Sequence, residues 1–382
     1  MLSTTSSSER PRVGRRITPE LVTDRLPDGP WGRTWLAALL AVLLLLGSWE
    51  GFLRARGFAP SLNDSTAGGP ETWAVARSLV PLRSSRAFLV LGSSRAEHGI
   101  ASEVLARRTN TPRPIYLTVS GSSFLPILHD LAADERVRNP VLCELNPAMF
   151  FDAKRSTDRR PREWIEMWRA TTTAHIVEEW LNEQVAGRLA LRHRVVTPGT
   201  VLAAIAAGRF PTPQYFVVRR DRSVRADHSR FHRFEYAQFD TLEEFRAFTA
   251  NWYRTSGVPA NDEELRKIVE ETREDVRQIE ARGGRVFFVR LPSGGEVLQA
   301  EEERFPRARY WDVLAHEVGC PFLHFRDYPG LDRPCAEESH MDYSQAVLFT
   351  EALGDLLAPL LRDPSATLPP PAIARTPRPR PD

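Results

Sequence analysis

Five short apolar runs recur along this chain, separated by stretches of mixed character, and their spacing limits the folds open to it. Ala87 to Leu91 (AFLVL), Pro114 to Val119 (PIYLTV), Val141 to Leu145 (VLCEL), Arg285 to Arg290 (RVFFVR) and Pro321 to Phe325 (PFLHF) are nearly continuous in apolar residues. Strands buried on both faces of a parallel sheet read this way. Between them, Ser102 to Arg108, Phe124 to Arg136, Asp262 to Arg282, Arg307 to Val318 and Ser344 to Leu361 place apolar residues at helical spacing. For the helix from Asp262, Asn261 serves as N-cap and Gly283 and Gly284 as the stop. Strand and helix in alternation predict an α/β fold, a three-layer α/β/α sandwich with about five parallel strands.

A second feature sets the topology of the whole. Thr34 to Trp49 (TWLAALLAVLLLLGSW) carries no charge and is apolar on every face, so it predicts a membrane span over residues 34–53, with Glu50 snorkelling toward water. Trp31, Trp35 and Trp49 flank it as an aromatic belt. Arg10, Arg12, Arg15, Arg16, Arg25 and Arg33 precede it, which by the positive-inside rule predicts a cytoplasmic N-terminus and an extracytoplasmic domain. No A-x-A-like cleavage site follows the leucines, so the segment reads as an uncleaved single-pass anchor in a bilayer.

The remaining organisation follows from composition. Residues 1–33 and the proline-rich stretch 363–382 are polar enough to predict disordered ends. The domain itself should span residues 60–362, interrupted by an insertion at 151–260 rich in Arg, Trp and Phe, with helices near Trp164 to Arg194 and Leu242 to Trp252. Arg219, Arg220, Arg222 and Arg225 in that insertion could hold an anionic polymer or be scattered surface charge.

Composition also excludes function classes. A net charge of +2 with 51 basic and 49 acidic residues gives no pull toward nucleic acid, and none is expected as a partner. Lys154 and Lys267 are the only lysines, a bias that suggests a GC-rich bacterial genome. Cys143, Cys320 and Cys335 form neither a CxxC pattern nor an even disulfide framework; Cys320 and Cys335 could pair if exported, or all could be free thiols. No HExxH or clustered His/Asp pattern points to a metal, and no cofactor is implied.

In an open parallel sheet, ligands bind beyond the carboxyl ends of the strands, so the turns after each run hold the candidates. After AFLVL come Gly92, Ser93, Ser94 and Arg95, a turn that exposes a serine at the end of the first strand. A serine hydroxyl is a weak nucleophile; it needs an adjacent base, and the base needs a third group to orient it. Near the other end, CAEESHMDYSQAVLFTEAL offers His340 with Glu337 three residues before it, and Glu338 or Asp332 as substitute carboxylates.

On these residues the chain resembles the SGNH (GDSL-like) hydrolase and acyltransferase superfamily, over roughly residues 85 to 150 and 283 to 361. LVLGSSRAEHGI is similar to its first block, with Ser94 at the nucleophile and Ser93 at the usual aspartate. His340 matches the base and Glu337 stands where aspartate is usual. LTVSGSSFLPILHDL is similar to block two, which implies an oxyanion-hole N-H from Gly121. In CELNPAMFF only Asn146 matches block three, whose Gly-x-Asn-Asp is absent. His98 and His129 lie near the first two blocks and could approach the site or be polar surface residues, and Leu291 to Glu296 (LPSGGE) reads as a pocket-lining loop.

The resemblance implies a membrane-anchored serine esterase or O-acyltransferase of the bacterial inner membrane, acting on acyl, notably acetyl, esters of envelope polysaccharide or related carbohydrate, with envelope acyl-transfer machinery as partner. The alternative is a catalytically inactive binding or assembly protein of the same fold.

Overall fold

The computed structural model describes residues 29–62, 69–231, 239, 241–363 and 365–371. The expectations for residues 1–28, including the five arginines from Arg10 to Arg25, and for most of the C-terminal tail lie outside these. The chain divides into two units at Ser48 and Trp49. The first contains most of a 25-residue helix, Trp31–Ala55, with a mean hydropathy of 2.0 over its most apolar stretch, long and apolar enough to span a bilayer. At 1.5 Å per residue it reaches about 37 Å, against a hydrocarbon core of about 30 Å. It therefore exceeds the predicted 34–53 at both ends.

The second unit is built on a five-stranded, wholly parallel sheet: β1 (Leu89–Leu91), β2 (Ile115–Tyr116), β3 (Pro140–Glu144), β6 (Arg285–Arg290) and β7 (Phe322–His324). Between β3 and β6 lies an antiparallel pair, β4 (Phe216–Val218) and β5 (Val224–Ala226). The order in the sheet is β2-β1-β3-β6-β7, and each strand falls inside one of the five apolar runs except that β3 begins one residue before its run, at Pro140.

Alternation along the strands explains why helices cover both faces. Leu89, Leu91, Val141, Cys143, Val286 and Phe288 point to one side, into a core with Trp73, Leu128 and Ile268. Val90, Leu142, Phe287 and Val289 point to the other, against Leu105, Phe349 and Leu353. The first face is covered by helices Pro70–Leu79, Leu125–Ala133, Asp262–Ala281 and Trp311–Val318, the second by Ser102–Thr109 and Tyr343–Arg362. The Asp262–Ala281 helix starts on a complete capping box between Asn261 and Glu264.

The insertion carries a hairpin besides the helices expected of it. The helical stretch predicted from Trp164 breaks at Thr171 and Thr172 into Arg159–Ala170 and Thr173–Ala186, because the Thr172 hydroxyl caps a new helix at the His175 N-H. Helix Pro198–Ala206 and the β4–β5 hairpin follow. Glu50 does not snorkel: its carboxylate accepts the N-H groups of Ala190 and Leu191 at 2.9 and 2.8 Å and pairs with Arg54. All three cysteines are free thiols.

Candidate active site

β1 lies between β2 and β3, so the crossovers from β1 to β2 and from β2 to β3 leave in opposite directions and open a crevice beyond its carboxyl end. Gly92 occupies that end with φ +145°, and a Cβ there would lie 2.7 Å from the Glu144 Cβ. Only glycine fits. Its carbonyl accepts the Val119 N-H at 3.0 Å, which fixes the loop leading from β2 to Gly121.

Ser93 then caps helix Ser94–Gly99, its hydroxyl accepting the Arg95 N-H. Ser94 is left half-exposed at the first helical position. His340 Nε2 lies 2.8 Å from Ser94 Oγ, and His340 Nδ1 is hydrogen-bonded to Glu337 Oε1. A serine and a histidine 246 residues apart, with the glutamate three residues before the histidine, are thus joined in one chain of hydrogen bonds.

The loop carrying the histidine is short and closed on itself. The Ala336 N-H donates to the His340 carbonyl at 2.9 Å, and the Ser339 N-H donates to Glu337 Oε2 at 3.0 Å. From the insertion, Arg246 Nε donates to the Ala336 carbonyl at 3.0 Å. Glu337 is wholly buried; burial raises its pKa, but the charge and hydrogen bond of His340, with His228 and the Ser339 N-H, outweigh this and leave it lowered. Glu338, one of the substitute carboxylates, faces away, accepting the Glu296 N-H at 2.8 Å at the start of helix Gly295–Arg304. In the loop Leu291 to Glu296, Gly294 donates to the Glu338 carbonyl and packs against the histidine loop instead of standing free.

Gly121 adopts φ +65° with room around it, and among the described residues neither its N-H nor that of Ser94 has an acceptor. Asn146 is more constrained: its Oδ1 caps the turn Pro147–Phe150 by accepting the Ala148 N-H, and its Nδ2 donates to the Tyr253 hydroxyl at 2.8 Å.

Further residues join the site. His98 is buried, not a surface residue: its Nδ1-H donates to the Ser94 carbonyl at 2.9 Å, and its ring centre lies 4.7 Å from that of His340. Burial, then the nearby His340, depress its pKa well below the ordinary histidine value, so it is neutral. His129, by contrast, lies out on the surface against Asp275. From the insertion, Phe216 of β4 meets His98, and the His228 N-H donates to Asp342 at 3.0 Å. Glu97 is buried with its pKa pushed up to about 7 by burial, against the pull of Ser120, Arg222, Thr118 and His340.

Beneath the triad runs a buried ionic chain. Arg95, next to Ser94, pairs with Glu301 at 2.8 Å, donates to the Ser339 hydroxyl at 3.1 Å and lies over the Tyr253 ring; Glu301 also pairs with Arg290. One signal for this layer stood in the sequence: Glu144 and Arg290 are charges inside apolar runs, and a charge in a strand buried on both faces needs a partner.

Among the described residues, no group of three or more His, Cys, Asp and Glu side chains converges as a metal site. A scan against protein-family models finds none that matches this chain, and a search of curated proteins finds no match.

Proposed function

We propose that this protein is a membrane-tethered serine esterase or O-acyltransferase of SGNH type, acting on acyl, notably acetyl, esters of envelope carbohydrate from an extracytoplasmic domain anchored in the bacterial inner membrane. The observation that carries the reading is the continuous hydrogen-bonded relay from Ser94 Oγ through His340 to buried Glu337. In this reading Ser94 attacks the acyl carbonyl and His340 Nε2 takes its proton. Glu337 holds the imidazole with Nδ1 protonated and stabilises the imidazolium. The N-H groups of Ser94 and Gly121 receive the oxyanion. His340 then returns the proton to the leaving alcohol, and water or a sugar hydroxyl releases the acyl group by the reverse sequence.

A fluorophosphonate probe tests this directly, since it reacts only with an activated serine. Full-length protein in detergent should be labelled, Ser94→Ala should not, and failure of the wild type to react would sink the proposal. A second reading, a non-catalytic binding or assembly protein, is favoured by Asn146, whose amide is engaged by the turn and Tyr253. Full cellular function of Ser94→Ala would decide for it.

A further inference from the structure

The arginines of the insertion are not scattered. A cavity of about 640 Å³ runs beside the edge strand β2, between helix Pro70–Leu79 and the β4–β5 hairpin, and none of the triad residues lines it. Its wall gathers Arg219, Arg220, Arg222 and Arg225 from the hairpin with Arg83 and Arg113 from the sheet domain. These come from three separate stretches of sequence, so the convergence is made by the fold.

Arg222 is the informative member. It is 2% exposed, and its guanidinium is held by groups that bear no charge, Thr72 Oγ1 at 2.7 Å and the Thr118 carbonyl at 3.0 Å. Its Nε, though buried, has no hydrogen-bond partner, and no described carboxylate lies within ion-pairing distance. It also sits at φ +67°, a left-handed backbone that is unfavourable for a non-glycine residue. A buried cation without a counter-ion is unfavourable unless something else supplies the negative charge. The carboxylates nearby do not. Glu103 is shared between Arg219 and Arg225, outside the lining. Glu183, in the wall, has its pKa pushed up to about 8, first by burial, and is neutral at pH 7. Arg83 and Arg113, at the exposed mouth, form no ion pair among the described residues. Glu97, which acts on Arg222 electrostatically, has its pKa pushed up to about 7 by burial and is only partly ionised at pH 7, and Asp221 has its Oδ1 taken by the N-H and hydroxyl of Ser223.

We infer that this cavity binds an anionic saccharide, its carboxylate or phosphate group seated on Arg222 and the mouth arginines and its ring against Trp180. Planar guanidinium groups match carboxylate and phosphate in bidentate fashion. Trp180, 39% exposed and in the same wall, supplies a flat apolar face, and the volume suits a ligand of one to a few sugar rings. Arg222 also reaches the Thr118 carbonyl, three residues before Gly121, so the pocket abuts the loop beside Ser94.

Isothermal titration calorimetry on the full-length protein in detergent tests this without reference to any reaction. Tetragalacturonate, as the carboxylate arm, or mannose 6-phosphate, as the phosphate arm, should bind saturably, and the methyl-esterified tetrasaccharide at least about tenfold more weakly. Arg83→Gln combined with Arg113→Gln, both at the exposed mouth, should lose about tenfold, as should Arg222→Gln; Ser94→Ala should bind as the wild type does. Equal binding of the neutral ester, indifference to the arginine changes, inorganic phosphate competing as well as the sugars, or binding of short-chain phosphatidylglycerol in their place would each overturn the inference.

Discussion

One oxygen of Glu144 accepts both the backbone N-H and the hydroxyl of Ser93, at 2.8 and 2.9 Å, so the turn that presents Ser94 is tied to the end of the neighbouring strand. Glu144 is buried and its pKa is raised, by burial first, with Ser93 and Arg95 pulling the other way.

Removing that anchor has a defined cost. In Glu144→Ala the Ser93 N-H and hydroxyl lose their buried partner, which should destabilise the fold by about 2 kcal/mol and slow labelling of Ser94. Gly92→Ala should do more, about 3 kcal/mol, since the new Cβ meets Glu144 and φ is +145°. Urea denaturation beside probe-labelling rates measures both; an unchanged midpoint in either variant refutes the account.

The triad predicts a graded series. His340→Ala should abolish hydrolysis of a short-chain ester, while Glu337→Gln, which cannot hold the Nδ1 proton as a carboxylate does, should lower kcat by about 10²–10⁴. Glu337→Asp should retain part of the activity. Steady-state kinetics settle the order, and a Glu337→Gln rate equal to the wild type would remove Glu337 from the relay.

The ionic layer below predicts a stability effect distinct from chemistry. Arg95→Met strips one of the two cations from buried Glu301 and should cost about 1.5–3 kcal/mol, the worth of a hydrogen-bonded charged contact, because Arg290 still holds the other carboxylate oxygen. Thermal unfolding should show a clear drop; a change of less than 1 °C would mean that Arg290 alone satisfies Glu301.

Glu97 predicts a pH dependence of stability. Its folded value is about 7 and its unfolded value near 4.5, so between them the folded protein holds a proton that the unfolded chain has released. Stability therefore falls as pH rises through this window, by about 3 kcal/mol at full extent. Glu97→Gln, which mimics the protonated form, should gain on the wild type from pH 4.5 to 7 and hold that advantage above it. A difference that is flat with pH would refute the assignment.

The fold was legible because its signals are local: an apolar run ending in Gly92 or a capped helix at Asn261 is written in neighbouring residues. Ser94, His340 and Glu337 were legible because two short blocks carry them. The layer that supports them was not. Arg95 with Glu301, Asn146 with Tyr253, and His98 with His340 are pairings across long separations, and nothing near either member names the other. The β4–β5 hairpin was hidden for a related reason: VVRRDRSVR is dominated by arginine, which hides its apolar alternation, and its buried face meets partners distant in sequence, Leu62 and His98.

The 246 residues between Ser94 and His340 also set a schedule. Helix Tyr343–Arg362, which follows the histidine, packs on Ser102–Thr109, which follows the serine, so the two halves meet only when the last helix docks. Long-range closure of this kind comes late in folding. A nascent or truncated chain therefore carries an inert hydroxyl, and the nucleophile awakens only in a finished molecule.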